Sequence, residues 1–255
     1  MLSDPWFYAL AIPAVLLAGI GKGGFGGGIG IMSVPLLTLI MPPLQAAAVM
    51  LPVLCAIDAY AVLAYRRHWD RVNMRIIVPA GLLGIVLGTL TAGVLSAHAM
   101  KFMVGAIAVV FSLDHWFGRR DRPPARPSWL KGSVCSLVGA YTSFLAHAGS
   151  PPLNLYLLPQ RLDKTVFVGT VVIYWAMVNY IKLIPYAWLG QFDRQILLAA
   201  LLLTPIALFG TWAGMRLNRW LAPAAFMRVC YALIFIVGVK LLWDGARHWL
   251  LQWPA

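Results

Sequence analysis

The chain has 255 residues, of which 61% are hydrophobic and 11% charged. This balance excludes a soluble domain and predicts a polytopic helical membrane protein with no room for an extramembrane domain. The formal net charge of +12 does not indicate nucleic-acid binding, because the basic residues lie in short loops between apolar segments, where they act as topology signals and contact lipid headgroups.

A glycine tract from Gly19 to Gly30 separates the first two apolar runs, Pro5 to Ile20 and Ile31 to Met41. Each run is shorter than the roughly 20 residues that a helix needs to cross a hydrocarbon core, so the two are predicted to be the arms of a re-entrant hairpin. Glycine permits positive φ and frees backbone N–H groups, which favour an anion at the start of the second arm. Irregular backbone at membrane depth lines a cavity or is buried in protein, so this tip is expected to face a transport pathway.

A Pro/Arg-rich linker at 119–128 divides the chain into two halves whose elements follow the same order. The N-terminal repeat, 1–118, is predicted to contain a hairpin at 5–42 and spans at 44–65, 76–96 and 100–117. The C-terminal repeat, 129–255, is predicted to contain a hairpin at 129–159 and spans at 166–188, 196–215 and 224–246. The predicted fold class is therefore an all-α polytopic membrane protein of two inverted repeats, each a Gly/Pro-tipped re-entrant hairpin plus three transmembrane helices.

Loop charges predict the orientation. With three full crossings in each half, most of the loop arginines fall on one face, which the positive-inside rule assigns to the cytoplasm. Both termini are then periplasmic, and the expected location is a bacterial inner membrane. If each hairpin counts as a full crossing instead, Arg161, Lys164 and Arg216 move to the face opposite Arg66, so the hairpin arrangement fits the charges better.

Two charged residues lie at membrane depth in the first half. Lys22 stands within the glycine tract, where an ammonium costs about 2.5 to 3.5 kcal/mol on insertion scales. We predict that it contacts substrate or gates the pathway, the alternative being a lysine that snorkels to the nearer surface. Asp58 lies mid-span and is predicted to pair with Lys22 when substrate is absent, either as a coupling and gating residue or as a static structural partner.

The second half contributes further candidates. His147 opens the second hairpin tip, where it either serves an anion or a proton near neutral pH or packs as a hydrogen-bonded histidine. Asn179 and Lys182 share a helix face, with Asn179 a cavity donor and Lys182 either a site residue or an interfacial anchor. The predicted substrate-binding set comprises Lys22, Gly23, Gly24, Gly26, Gly27, Gly28, His147, Gly149, Ser150, Asn179 and Lys182, with coupling or gating assigned to Asp58 and His147.

Catalysis has little support in the sequence. Gly21-Lys22-Gly23 lacks the hydroxyl residue that ends a Walker A motif. Three cysteines at unrelated spacings inside apolar runs favour packing residues, so neither a metal site nor another cofactor is expected. A hydrolase that uses Ser150 and His147 is the remaining enzymatic alternative, and we predict no catalytic residue.

A series of motifs carries a family resemblance. The glycine tract is followed by Val-Pro-Leu-Leu at 34–37, and the second half contains Ala-Gly-Ser-Pro-Pro at 148–152, Tyr-Leu-Leu-Pro at 156–159, Leu-Asp-Lys at 162–164 and Phe-Val-Gly-Thr at 167–170. In this order, over nearly the whole length, they resemble the TauE/SafE family of sulfite-exporter-like permeases. Many relatives have a shorter glycine tract without a lysine, so Lys22 leaves a different substrate or coupling mode open.

The resemblance implies transport of sulfite, a sulfonate or a related sulfur-containing anion. We predict a secondary carrier that works by alternating access, with the two hairpin tips meeting near the bilayer centre. An inside-negative potential favours the exit of anions, which favours export, whereas import would need proton or cation coupling. An anion channel is the nearest alternative, and a homodimer is left open. A scaffold without transport activity would not require a lysine and an aspartate in the membrane.

Overall fold

The structure, a computed structural model, describes all residues except 1–3, 28–29, 31–32, 38–39, 42, 92–101, 103–104, 107, 111, 114–115, 118–122 and 253–255. Every regular element in these described parts is helical, which confirms the predicted all-α class. The helices are α1 (Pro5–Gly24), α2 (Ser33–Leu37), α3 (Pro43–Tyr65), α4 (Arg71–Leu90), α5 (Trp129–Ala146), α6 (Ser150–Leu157), α7 (Lys164–Trp188), α8 (Arg194–Trp220) and α9 (Pro223–Gln252). A 3₁₀ turn at Leu158–Gln160 follows α6, and further helical residues lie within 102–117.

Aspartate side chains cap the starts of several helices. A short carboxylate just before a helix accepts hydrogen bonds from N–H groups of the first turn, which have no partner within the helix. The carboxylates of Asp4, Asp70, Asp163 and Asp193 accept from the backbone N–H groups of Trp6 at 3.0 Å, Asn73 at 2.6 Å, Thr165 at 2.8 Å and Ile196 at 2.7 Å. An Asp-Arg pair therefore stands at the start of both α4 and α8: Asp70 and Asp193 cap the helices, and Arg71 and Arg194 are their first residues.

Six described helices are long and apolar enough to cross a membrane. They are Pro5–Gly24, Gln45–Tyr65, Arg71–Leu90, Lys164–Trp188, Arg194–Trp220 and Ala224–Arg247. Five of them overlap the predicted spans, and the prediction at 100–117 falls largely on residues outside the described ranges.

The remaining helix of the six, α1, is longer than the sequence predicted. The apolar run was expected to stop at Ile20, too short to span, but α1 continues to Gly24 and reaches 20 residues. Gly23 and Gly24 at its end are helical and lie directly against the backbone of α8, where a side chain would not fit. The described arm that follows, α2, has only 5 residues.

The chain forms two compact units, each built from two separate segments. Unit 1 comprises Met1–Met74 and Asp163–Phe226, and unit 2 comprises Arg75–Leu162 and Met227–Ala255. Each unit therefore draws on both predicted repeats. The inverted relation of the repeats and their boundary at 119–128 stay predictions.

Unit 1 is organised around close packing of α1 against α8. Gly19 and Gly23 on α1 stand one turn apart, and a Cβ on either would overlap a backbone carbonyl oxygen, that of Ala207 or Thr211. Gly214 on α8 is fitted in the same way against the backbone of α1. Small residues at this spacing let helix backbones approach closely where hydrophobic burial cannot drive association. Packing of α1 against α8 thus fixes the position of the last turn of α1, which contains Lys22.

Unit 2 uses the same device between α4 and α5. A Cβ at Gly84 would overlap the carbonyl oxygen of Leu137, and a Cβ at Gly88 would overlap the side chain of Phe144. These contacts show that the glycines on α4 serve helix packing.

Candidate functional site

Three buried charges mark the interior of unit 1. Lys22 in the last turn of α1, Asp58 in α3 and Lys182 in α7 are 9%, 0% and 0% exposed, and they are the buried charged side chains among the described residues. A charge removed from water is costly unless it is paired and hydrogen-bonded. Their placement inside a membrane protein therefore makes this cluster the candidate functional site. In the same described set, no group of three or more His, Cys, Asp or Glu side chains is placed to hold a metal ion.

Asp58 is held from both sides of its carboxylate. The Lys22 ammonium forms an ion pair with Oδ1, and the Asn179 side-chain amide donates to Oδ2 at 2.7 Å. The predicted pairing of Lys22 with Asp58 is confirmed by this contact. Because the two donors come from α1 and α7, the carboxylate on α3 links three helices of the unit.

Lys182 lies on α7 in the same interior. It is fully buried, so it does not serve as the interfacial anchor that the sequence left open. Its charge interacts with those of Lys22 and Asp58. With Lys22 also buried and paired rather than snorkelling, the cluster has two ammonium groups against one carboxylate. Its formal charge of one excess positive unit suits an anion.

The glycines after α1 cap the helix. Gly26 and Gly27 have φ of 61° and 81°, the left-handed region that glycine enters without steric cost. The N–H groups of Phe25 and Gly27 both donate to the carbonyl oxygen of Gly21 at 2.9 Å. These N–H groups close the end of α1. The N–H cluster predicted at the start of the second arm falls on 28–32, of which the structure describes Gly30, and it stays a prediction. Gly28, another predicted contact, lies outside the described residues.

Gly23 and Gly24 present carbonyl groups at this end of α1. The Tyr65 hydroxyl donates to the carbonyl oxygen of Gly23 at 2.9 Å, and the Asn218 amide donates to that of Gly24 at 2.8 Å. The C-terminus of a helix carries partial negative charge and stabilises a cation, which is consistent with Lys22 in the last turn. Within the described residues, this end of α1 therefore presents hydrogen-bonded carbonyl groups beside the Lys22 ammonium.

The second tip lies in unit 2 and begins at His147. This residue ends α5 in the left-handed conformation, with φ of 50°, and its N–H donates to the carbonyl oxygen of Ser143 at 3.1 Å. Positive φ is uncommon for residues other than glycine, although asparagine, aspartate and histidine adopt it more often than the rest. Its side chain is half-buried.

The start of α6 provides few backbone donors. Gly149 is its N-cap residue and Ser150, which is 8% exposed, is its first residue. Pro151 and Pro152 follow and have no N–H, so the first turn offers the N–H groups of Ser150 and Leu153. The predicted roles of Gly149 and Ser150 in substrate binding stay predictions.

Sequence reasoning missed three residues of unit 1, Tyr65, Asn218 and Trp175. Tyr65 and Asn218 cap the end of α1, and no sequence pattern pairs them with glycines so far away in the chain. Trp175 lies on α7 one turn before Asn179 and is 4% exposed. Its signal was available, since tryptophans that belong to an interfacial belt lie near helix ends, whereas Trp175 is in the middle of its helix.

Comparisons with known proteins agree with the membrane architecture. A family model described as "Sulfite exporter TauE/SafE" matches residues 11–241. Among curated proteins, the chain is 28% identical over 173 residues to the probable inner membrane transporter protein TsaS of Comamonas testosteroni, a match that covers 65% of this chain and 69% of that protein. No solved structure matches the chain.

Proposed function

Since this chain belongs to the sulfite exporter TauE/SafE family, we propose that it is a secondary transporter that carries sulfite, a sulfonate or a related sulfur-containing anion across the inner membrane. The observation that carries this proposal is the buried cluster of Lys22, Asp58 and Lys182, with its excess of positive charge. The family and the name of the curated relative both indicate a transporter rather than an enzyme.

Binding proceeds by competition for Lys22. In the structure this ammonium is held by Asp58, whose other oxygen is held by the Asn179 amide. An oxyanion that enters the cluster offers oxygen atoms in place of the carboxylate, so Lys22 and Lys182 together bind it while Asp58 keeps its bond to Asn179. The bound anion balances the two ammonium groups, and these contacts offset the cost of leaving the Asp58 carboxylate with the Asn179 hydrogen bond alone.

Export is the direction that the energetics favour. An inside-negative potential assists the exit of each anionic charge by about 2.3 kcal/mol per 100 mV, so an uncoupled carrier suffices. Alternating access would present the cluster to one side of the membrane and then to the other. The contribution of His147, Gly149 and Ser150 in the second tip to substrate binding stays a prediction. The periplasmic location of the two termini also stays a prediction.

Coupling to a proton gradient would allow import of the anion instead of export. In unit 1, Asp58 is the candidate group for binding the coupled proton. The charged and titratable groups that interact with its carboxylate are Lys22, Lys182, Cys55 one turn away on the same helix and Tyr180 on α7. Protonation of Asp58 would release Lys22 and change its availability to the anion. Import driven by a proton gradient would therefore depend on Asp58, and uncoupled export would not.

The test is anion flux in proteoliposomes with the membrane potential and the pH gradient set independently. Saturable flux of sulfite or of a sulfonate that follows the potential and ignores the pH gradient supports an exporter. Flux that needs the proton gradient supports coupled import. Flux that does not saturate indicates a channel, and the absence of flux for both anions overturns the substrate class.

Variants connect this flux to the cluster. Lys22→Ala removes the ammonium that the proposal assigns to the substrate, and flux should fall to the level of empty liposomes. Lys240→Ala is a matched control, because Lys240 on α9 also forms an ion pair, with Asp244 at 2.5 Å, but its side chain is 34% exposed. Wild-type flux in the Lys22 variant would contradict the site assignment.

A further inference from the structure

Trp175 has a buried polar atom that the fold does not use. Its side chain is 4% exposed, yet within the described structure the indole Nε1 has no hydrogen-bond partner. The ring itself is packed, with its centroid 4.9 Å from that of Tyr174 in an edge-to-face arrangement. Since buried donors are nearly always paired in native proteins, an unused indole N–H requires an explanation.

The position of Trp175 on α7 links it to the charged cluster. At 3.6 residues per turn, positions 175, 179 and 182 fall within a sector of about 60° on one face of the helix. Helical side chains lean toward the N-terminus, so Trp175, Asn179 and Lys182 point the same way and form one row along this face, with Trp175 one turn before Asn179. Asn179 in turn contacts Asp58. The indole therefore belongs to the same face that supplies the cluster with an amide and an ammonium.

We propose that the indole N–H of Trp175 donates a hydrogen bond to an oxygen atom of the transported anion. This rests on the proposed function and deepens it. The two lysines supply charge, whereas the indole supplies a neutral donor with a defined direction, which an oxyanion can use through one of its oxygens. Trp175 is thus a specificity-determining residue for anions that present a sulfur-bound oxygen.

The charge of the cluster narrows the substrate class. With both lysines and Asp58 ionised, the formal charge of the cluster is one positive unit, which a single negative charge balances. A neutral indole N–H adds a hydrogen bond without changing that balance. The site is therefore matched to a monoanion that bears several oxygens on sulfur, namely a sulfonate or hydrogen sulfite, ahead of the sulfate dianion.

The experiment measures binding of methanesulfonate, sulfite and sulfate to the full chain in lipid nanodiscs by calorimetry. Trp175→Phe keeps an aromatic ring and removes the N–H. Benzothienylalanine introduced at position 175 by codon suppression replaces the N–H with sulfur and preserves the ring shape. Trp188→Phe is the matched control, because this tryptophan ends the same helix and is 85% exposed.

Loss of a hydrogen bond to a charged ligand is expected to weaken methanesulfonate binding by roughly 10- to 100-fold in both Trp175 variants. Trp188→Phe should bind as the wild type does, and wild-type protein should prefer methanesulfonate to sulfate. Thermal unfolding of each variant establishes that it is folded.

Two results would overturn the inference while leaving the proposed function intact. One is wild-type affinity in both Trp175 variants while Lys22→Ala loses binding. The other is weakened binding in Trp175→Phe with normal binding in the benzothienylalanine protein, which would assign the effect to packing. If the folded wild-type protein neither binds nor transports any of these anions, the proposed function itself fails and the role of Trp175 fails with it.

Discussion

The two hairpin tips share a Gly/Pro-rich sequence, but they differ in which neighbouring helix includes that sequence. The first tip closes α1, so its described glycines lie at a carbonyl-bearing C-terminus beside Lys22. The second tip leads into α6 at a helix N-terminus, where Pro151 and Pro152 remove two of the expected donors. Gly23 and Gly24 belong to α1 itself, whereas α5 ends at Ala146 and the Ser-Pro-Pro residues of the second tip form the first turn of α6. Similar Gly/Pro-rich sequences thus form the end of one helix and the start of another.

The difference bears on the proposal of how unit 1 binds an anion. A backbone N–H cluster would have made the glycine tract itself the binding element, as in other helix N-terminal anion sites. In the structure the N–H of Gly27 is used to close α1, and the available positive charge belongs to Lys22 and Lys182. The predictions below separate the electrostatic role of the first tip from its packing role, and then address the second tip.

The largest effect is expected at the ion pair of the first tip. Lys22→Met leaves the Asp58 carboxylate buried with only the Asn179 amide, which should lower the free energy of unfolding by about 3 to 5 kcal/mol. The double variant Lys22→Met/Asp58→Leu removes both charges and should recover most of that stability while remaining inactive in flux. Denaturant unfolding in detergent measures the stabilities. Equal stabilities of the single and double variants would show that the pair is not coupled.

Packing at the first tip should give the next effect. Gly23→Ala forces a Cβ into the carbonyl oxygen of Thr211, and this overpacking should cost about 1 to 3 kcal/mol. Gly30→Ala is the control within the same tract, since its Cβ would meet Ala18 at 3.4 Å, an ordinary contact. Thermal unfolding compares the two. A Gly23 variant as stable as the Gly30 variant would contradict the close packing of α1 on α8.

The caps on α1 should contribute a similar or smaller amount. Tyr65→Phe leaves the buried carbonyl of Gly23 without its donor and should cost about 1 to 3 kcal/mol of unfolding free energy. Tyr60→Phe removes a hydroxyl from the same helix at a residue that is 36% exposed, and it should change stability little. Matched losses in the two variants would indicate that the cap does not stabilise α1.

The smallest effect is expected at the second tip. His147 has a left-handed backbone, which glycine tolerates better than alanine by about 1 to 2 kcal/mol. His147→Gly should therefore be more stable than His147→Ala by about that amount in thermal unfolding.

Flux as a function of pH then separates the two predicted roles of His147. If the residue only shapes the turn, His147→Gly should transport with the wild-type pH profile. If the imidazole carries a proton, both variants should lose the pH dependence of flux. A pH profile lost in one variant and kept in the other would fit neither role.

Much of the fold was predictable because a membrane-spanning helix requires a run of about 20 apolar residues, which is visible in the sequence. Predicted spans such as 44–65 and 166–188 agree with α3 and α7 to within a few residues, since apolar length alone defines them. The end of α1 was predicted less well. Glycine usually interrupts a helix, and its opposite use at Gly23 depends on a partner backbone from α8 that is remote in sequence.

The sequence by itself determined that this protein is an all-α membrane protein and that Lys22 and Asp58 at membrane depth need a partner, because the cost of charge in hydrocarbon does not depend on the details of the fold. Only the tertiary structure decided which groups meet: the Asn179 amide on Asp58, the Asn218 amide on the end of α1, and the unused indole N–H of Trp175 on the face of α7 that serves the cluster. Such contacts join residues far apart in the chain, and side-chain hydrogen bonds depend on distances that no local pattern contains.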